Sequence, residues 1–303
     1  MKIDTHAHIF LKKLNTVANA RYKPDYDASF KDYKVNLDHY DFNKGVLVQP
    51  SFLGIDNEFL LQSIEKDENI KAIVVVDENI KFDELKKLKE RKACGVRLNL
   101  IGKELPNFKS MVWTQFFENL SKLKMQIEIQ RDLDNNLVDI VENLIPYGCN
   151  IVIDHLARAN ANLTNLEDLI CLKNSRIFFK ISGFYRAKID YANNEQAVKF
   201  AKKIYEILKE HFPLSNFVFG SDWPHTNFEA NINFSSALVA FNEVVVSKKE
   251  QVSNFVFGSD WPHTNFEANI NFSSALVAFN EVVVSKKEQE QILGDNACAL
   301  FGF

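Results

Sequence analysis

The chain has 303 residues, 46% hydrophobic and 25% charged, which suits a globular protein with a large core, one barrel-sized domain or two ordinary ones. Lys and Arg total 36 against 40 Asp and Glu, a formal charge of −4; without a Lys/Arg block or basic helix face, neither nucleic acid nor a membrane surface is indicated as a partner. No apolar run approaches the ~20 residues of a membrane span, and Met1-Lys2-Ile3-Asp4-Thr5-His6 lacks the apolar stretch of a secretory leader, so a cytoplasmic chain is expected.

Short apolar, β-branched runs then recur along the chain. Lys2–His8, Gly45–Ser51, Ile70–Asp77, Gly95–Leu100, Met125–Gln130, Asn150–His155, Arg176–Gly183 and Asn216–Trp223 are expected as strands. Several are apolar on successive residues, as in Ile73-Val74-Val75-Val76, which is how strands covered on both faces by helices read. Amphipathic segments lie between them. Leu137, Ile140, Val141, Leu144 and Ile145 share one helical face, as do Val198, Ala201, Ile204, Tyr205 and Leu208, and more weakly Phe82, Leu85 and Leu88. Strict alternation predicts a (β/α)₈ TIM barrel over residues 1–303, although an open doubly wound sheet has the same pattern. Cys94, Cys149, Cys171 and Cys298 are widely spaced, form no C-x-x-C and sit in apolar sequence; buried, reduced thiols are expected.

One feature does not fit a barrel. Ser215–Gln251 returns residue for residue as Ser253–Gln289, so the eighth strand–helix unit is duplicated. Two identical copies are not a solenoid, which needs at least three units. The first copy follows its natural upstream helix and emerges first in synthesis, so it is expected to fill the barrel, leaving the second extraneous.

Polar side chains gather where strands end, a costly place to bury them without a purpose. His6 and His8 end the first strand, Gln49 and Ser51 the second, Asp77 the third, Arg97 and Asn99 the fourth. Glu128 and Gln130 end the fifth, Asp154 and His155 the sixth, Ser182 the seventh and Asp222 the eighth. In a barrel those ends meet at the C-terminal mouth, where such folds carry active sites. The H-x-H spacing puts both imidazoles on one side of a strand, able to grip a metal or an oxyanion, or to be satisfied structural histidines. Arg97, Arg158 and Arg186 with Lys103 near one rim suit carboxylate recognition, although each alone reads equally as a surface ion pair. His39 and His211 fall on surface helices and are read as structural. The long connection Leu11–Asn43 is a candidate lid carrying Tyr22 and Tyr26.

Asp4-Thr5-His6-Ala7-His8, Val48-Gln49-Pro50-Ser51 with Gly54 and Asp56-Asn57, Gly95-Val96-Arg97-Leu98-Asn99, Ile153-Asp154-His155 and Gly220-Ser221-Asp222-Trp223-Pro224-His225 together resemble the amidohydrolase-2 family, nearest its branch of 2-pyrone-4,6-dicarboxylate lactonases and sugar lactonases. The resemblance covers the chain apart from the extra copy. It implies a distorted TIM barrel that opens a small-molecule lactone with water. Asp222 would be the general base, with Asp260 its equivalent in the second copy. His6, His8 and His155 would surround the carbonyl, while Tyr22, Ser51, Arg97, Lys103, Glu128, Arg158 and Arg186 would contact substrate. Glu128 stands where the pyrone enzymes offer a Tyr, and its charge would repel a second carboxylate; an aldonolactone donating hydroxyls to Glu128 is therefore as open as a dicarboxylate. The superfamily's fifth-strand His is absent, so two metals are not expected; no metal, or a single Zn²⁺ on His6, His8 and Asp222, fits the ligand set. A Zn-dependent decarboxylase of the same superfamily and an inactive, duplication-damaged chain are the rival readings.

Overall fold

The β-branched runs form eight strands in a computed structural model that describes residues 1–190, 193–245 and 296–302. They are β1 (Ile3–Ala7), β2 (Lys44–Val48), β3 (Ile70–Val74), β4 (Ala93–Asn99), β5 (Gln126–Gln130), β6 (Ile151–Ile153), β7 (Ile177–Ile181) and β8 (Phe217–Phe219). All but β4, which starts earlier and is one residue longer, are one to five residues shorter than the sequence pattern suggests, chiefly because the polar ends leave the ladder to enter the mouth. The strands are parallel and in sequential order. The ring closes above β8, where the Asp222 amide donates to the His6 carbonyl and the His8 amide to the Trp223 carbonyl, each at 2.7 Å. This is the TIM barrel expected, with the open-sheet alternative removed.

Helices α1 (Phe30–His39), α2 (Glu58–Ile64), α3 (Phe82–Glu90), α4 (Met111–Lys122), α5 (Asn135–Leu144), α6 (Leu166–Cys171), α7 (Asn194–Lys209), α8 (Phe234–Val245) and α9 (Asn296–Phe301) cover it. Local chemistry starts several of them. Ser29 and Asp32 make a reciprocal capping box at α1, and the side chains of Asp134 and Asn193 accept backbone amides at α5 and α7. The expected apolar faces of α5 and α7 are buried against the sheet; Ile145 falls just past α5 and is only half-buried.

Side chains alternate inward and outward along each strand. Outward residues such as Ile127, Ile129, Ile151, Ile153, Phe179 and Phe219 pack under the helices. The lower interior is filled by Ile3, Val46, Val48, Ile73, Val152 and Val218, closed from below by Leu300 and Phe301 of α9. That apolar floor leaves only the upper half of the barrel for polar chemistry. β1 carries an irregularity between Asp4 and Ala7 that shifts its register. It lets Ile3 pack in the floor while His6, three residues on, also faces the interior.

The eighth strand comes from the first repeat copy; the second, Ser253–Gln289 with Asp260, lies outside the described residues. The four cysteines are free, but only Cys149 is buried; Cys171 at the end of α6 is exposed, contrary to the expectation, because it ends a short helix on its solvent side. Among the described residues no helix is long and apolar enough to cross a membrane.

Candidate active site

A cleft of about 460 Å³ opens at the C-terminal mouth. Of the residues singled out in the sequence, His8, Tyr22, Ser51, Arg97, Asn99, Gln130, Arg158, Arg186 and Asp222 line it. His6 and His155 form its buried floor, with ring centroids 4.9 Å apart and His6 5.0 Å from His8. Asp77 does not reach the mouth: it is exposed and binds Asn79 in a turn. Lys103 is exposed and outside the cleft lining, although Arg21 and Arg97, with partial burial first, lower its pKa.

The backbone aims these groups through left-handed turns. After β6, His155, Leu156, Ala157 and Arg158 all have positive φ (47–60°). This is a costly run for L-residues, and it sends His155 inward while Arg158 reaches the rim. Asp222 has φ 61° just past β8. Gly183 has φ 51°, and a Cβ there would lie 2.5 Å from His155 Nδ1, so glycine is required both for conformation and for space.

Asp222 is the centre. Its Oδ2 accepts from Arg186 Nε and from the Tyr185 hydroxyl (2.7 Å), while Oδ1 is buried with no hydrogen-bond partner among the described residues. Oδ1 lies 3.9 Å from His6 Nε2 and 4.0 Å from His8 Nε2. Burial alone would raise this carboxyl, but Arg186 leads the groups that hold it well below the ordinary range, so it is ionised at neutral pH. The imidazoles are shifted down as well, which for them favours the uncharged form. Burial lowers His8 to about 4, His155 to about 3 and His225 to about 4, and takes His6 well below its usual value, so all four are neutral at pH 7. His8 Nδ1 is 2.7 Å from the Val48 carbonyl, which can only accept; Nδ1 carries the proton and Nε2 is a bare acceptor.

Each arginine read from the sequence has a carboxylate partner. Arg97 binds Asp154 (3.2 Å) and Gln130, Arg158 binds Asp132 (2.7 Å), and Arg186 binds Asp222. Sequence reading missed Arg21, which lines the cleft beside them, bonds the Asn99 side chain at 3.2 Å and makes no ion pair among the described residues. Lys188 also lines the cleft, 3.4 Å from Asp132. Among the described residues, cations therefore outnumber carboxylates around the opening.

Two assignments change. Glu128 does not line the cleft: it is fully buried one layer lower, with Oε1 2.7 Å from Lys180 Nζ. Strand alternation explains this, since two further residues along β5 it is Gln130 that reaches the cleft. Tyr22 does line the cleft, but its hydroxyl donates to Glu229 Oε1 (2.5 Å), shared with Tyr26 (2.7 Å). That clasp ties the loop after β1, closed at its base by paired Phe10 and Ala28, to the segment after β8. Tyr185, His225 and Lys180 also escaped the sequence reading. Lys180 left a signal, a lone cation within Phe178-Phe179-Lys180-Ile181.

His6 Nε2, His8 Nε2 and Asp222 Oδ1 are close enough to share one ion. The surroundings do not fit a dication, however: Lys180 Nζ is 3.1 Å from His6 Nδ1, and Arg186 already neutralises Asp222.

Known proteins agree with this architecture. Solved at TM-score 0.83 and 32% identity, over 100% of this chain and 99% of the other, is a probable 2-pyrone-4,6-dicarboxylic acid hydrolase from Acinetobacter baumannii with citric acid bound. A 4-sulfomuconolactone hydrolase of Hydrogenophaga intermedia is 24% identical across 74% of this chain and 75% of its own length. A 2-pyrone-4,6-dicarboxylate hydrolase of Comamonas testosteroni is 23% identical across 79% and 82%. The amidohydrolase family profile matches residues 3–251 and again 239–303, the second span taking in the repeat and the tail. By motif, barrel and family match alike, this chain belongs to the amidohydrolase family.

Proposed function

We propose that the chain hydrolyses a small lactone bearing at least one anionic group, with Asp222 as general base. The observation that carries this reading is the asymmetry of the Asp222 carboxylate: Oδ2 is held by Arg186 and Tyr185, while Oδ1 is buried beside two imidazoles with no hydrogen-bond partner among the described residues. A buried acceptor of that kind has one obvious use, to take a proton from a bound water.

Oδ1 removes a proton from water as its oxygen attacks the lactone carbonyl carbon. The negative charge that develops on the carbonyl oxygen meets the guanidinium groups above the histidine floor. Collapse breaks the ring C–O bond, and the proton on Asp222 passes to the departing ring oxygen. The new carboxyl group loses its proton to solvent, Asp222 is again ionised, and the product is a hydroxy acid or its keto tautomer.

Anionic substrates are favoured by the excess of cations at the opening. Arg97, Arg158 and Arg186 are each balanced in part by a carboxylate, whereas Arg21 has no such partner among the described residues. The substrates named for the relatives, a pyrone dicarboxylate and a sulfonated muconolactone, share that chemistry. The case for an uncharged aldonolactone weakens, because Glu128 sits below the cleft against Lys180 and offers no acceptor there. The test is hydrolysis of 2-pyrone-4,6-dicarboxylate, 4-sulfomuconolactone and several aldonolactones by the purified chain, with and without chelator or added Zn²⁺. Turnover of an anionic lactone that ignores the chelator supports the reading. Turnover of none, with Zn²⁺-dependent release of CO₂ from a hydroxybenzoate, would replace it with a decarboxylase.

A further inference from the structure

Beneath the cleft lies a charged group that the reaction above does not use. Lys180, at the centre of β7, is fully buried, with Nζ 2.7 Å from Glu128 Oε1, 3.1 Å from His6 Nδ1 and 3.5 Å from Asp154 Oδ1. We propose that Lys180 is a positioning residue that fixes His6 as its Nε2–H tautomer, making His6 a hydrogen-bond donor to the reacting atoms and denying it to a metal ion.

An ammonium has three protons and no lone pair. A ring nitrogen at hydrogen-bond distance from it must therefore accept, so His6 Nδ1 is bare. A neutral imidazole then carries its single proton on Nε2, the atom that faces Asp222 Oδ1 across 3.9 Å. The competing partner for Nδ1, Asp154 Oδ1, is farther away at 3.4 Å and itself lies 3.5 Å from Lys180 Nζ.

His8 is set the opposite way by the Val48 carbonyl. The two imidazoles of the H-x-H motif thus present unlike atoms to one carboxylate oxygen: a donor from His6 and an acceptor from His8. A water between them accepts from His6 and donates to Asp222 and His8, which turns its remaining lone pair toward substrate. A metal ion would need a lone pair on His6 Nε2, and that requires the proton to move to Nδ1 against Lys180. The assignment rests on the lactonase reading for its catalytic meaning only; the tautomer itself is independent of it.

The test is long-range ¹⁵N–¹H spectroscopy of the histidine-labelled full chain at pH 7, with signals assigned by His6→Gln and His8→Gln. His6 is expected with its proton on Nε2 and His8 with its proton on Nδ1. In Lys180→Met the His6 proton is expected on Nδ1, facing Asp154. Because that change leaves Glu128, already raised to about 7 by burial, without its ion partner, the double variant Lys180→Met/Glu128→Leu provides the same test without a buried unpaired carboxyl. Zn²⁺ titration by calorimetry gives a second readout: at least tenfold tighter binding in the double variant, abolished by His8→Gln. A wild-type His6 with its proton on Nδ1, or a double variant with the tautomer and Zn²⁺ affinity unchanged, would overturn the proposal. Neither result depends on turnover, so a failure here is distinct from a failure of the lactonase reading.

Discussion

Arg186 binds one oxygen of Asp222 and leaves the other buried, with no hydrogen-bond partner among the described residues. The same contact sets where the carboxylate titrates, since burial pushes Asp222 up and the guanidinium leads the opposing groups. In wild type the acid limb of kcat/KM therefore lies below the ordinary Asp range, near 3.9. Replacing Arg186 by Gln leaves burial less opposed. The account predicts an acid limb shifted upward by more than about one unit, with activity lost as pH falls through the new value. A pH–rate profile of Arg186→Gln checks this.

The rim cations are expected to act on binding more than on chemistry. Arg21→Ala and Arg158→Ala should each raise KM for a dianionic lactone by about tenfold to a hundredfold, since a hydrogen bond to a charged group is worth roughly 1.5–3 kcal/mol. Changes in kcat should be small. Steady-state kinetics with dianionic and monoanionic lactones separates the two effects, with the smaller loss for the monoanion.

How much of this was legible beforehand follows from what each level of structure depends on. The alternation of apolar runs and helical faces is local, and so were the strands, the barrel and the polar strand ends that mark the mouth. His6, His8, His155, Arg97, Arg158, Arg186 and Asp222 were found that way, and they do converge. Depth within the barrel is not local. Glu128 and Gln130 are two residues apart on β5, yet one meets Lys180 in the interior and the other meets Arg97 at the cleft. That difference depends on strand stagger, which no single strand reveals. Arg21 was missed for a similar reason: it sits in a loop of no periodicity, and only the fold brings it to Asn99.

The duplicated unit gives a third prediction. β8 and Asp222 come from the first copy, so removing residues 252–289 should leave kcat and KM within about twofold, and Asp260→Asn in the full chain should be silent. Kinetics of both variants decides the matter. A chain that gains activity only on deletion would show that the second copy damages the first.

Acid should weaken the fold through its buried imidazoles. A histidine whose folded pKa is lowered contributes nothing against folding above pH 6.5, and opposes it progressively as pH falls toward the folded value. For His8, lowered to about 4, that amounts to about 3 kcal/mol lost between pH 6.5 and 4. Asp4, raised to about 6 by burial, works the other way, adding stability as pH falls through 6 toward 3.8. Four lowered histidines outweigh it. Urea unfolding from pH 7.5 to 4.5 should show falling stability, with a shallower slope in His8→Gln.

The most direct measurement is turnover of an anionic lactone by Asp222→Asn, alongside its thermal unfolding. Asn keeps the shape and the contacts to Arg186 and Tyr185 in part, but offers no base at Oδ1. The account predicts a loss of kcat of at least about a thousandfold in a protein that still unfolds cooperatively. A folded Asp222→Asn variant with near wild-type turnover would contradict it, and would move the base to another residue of the mouth.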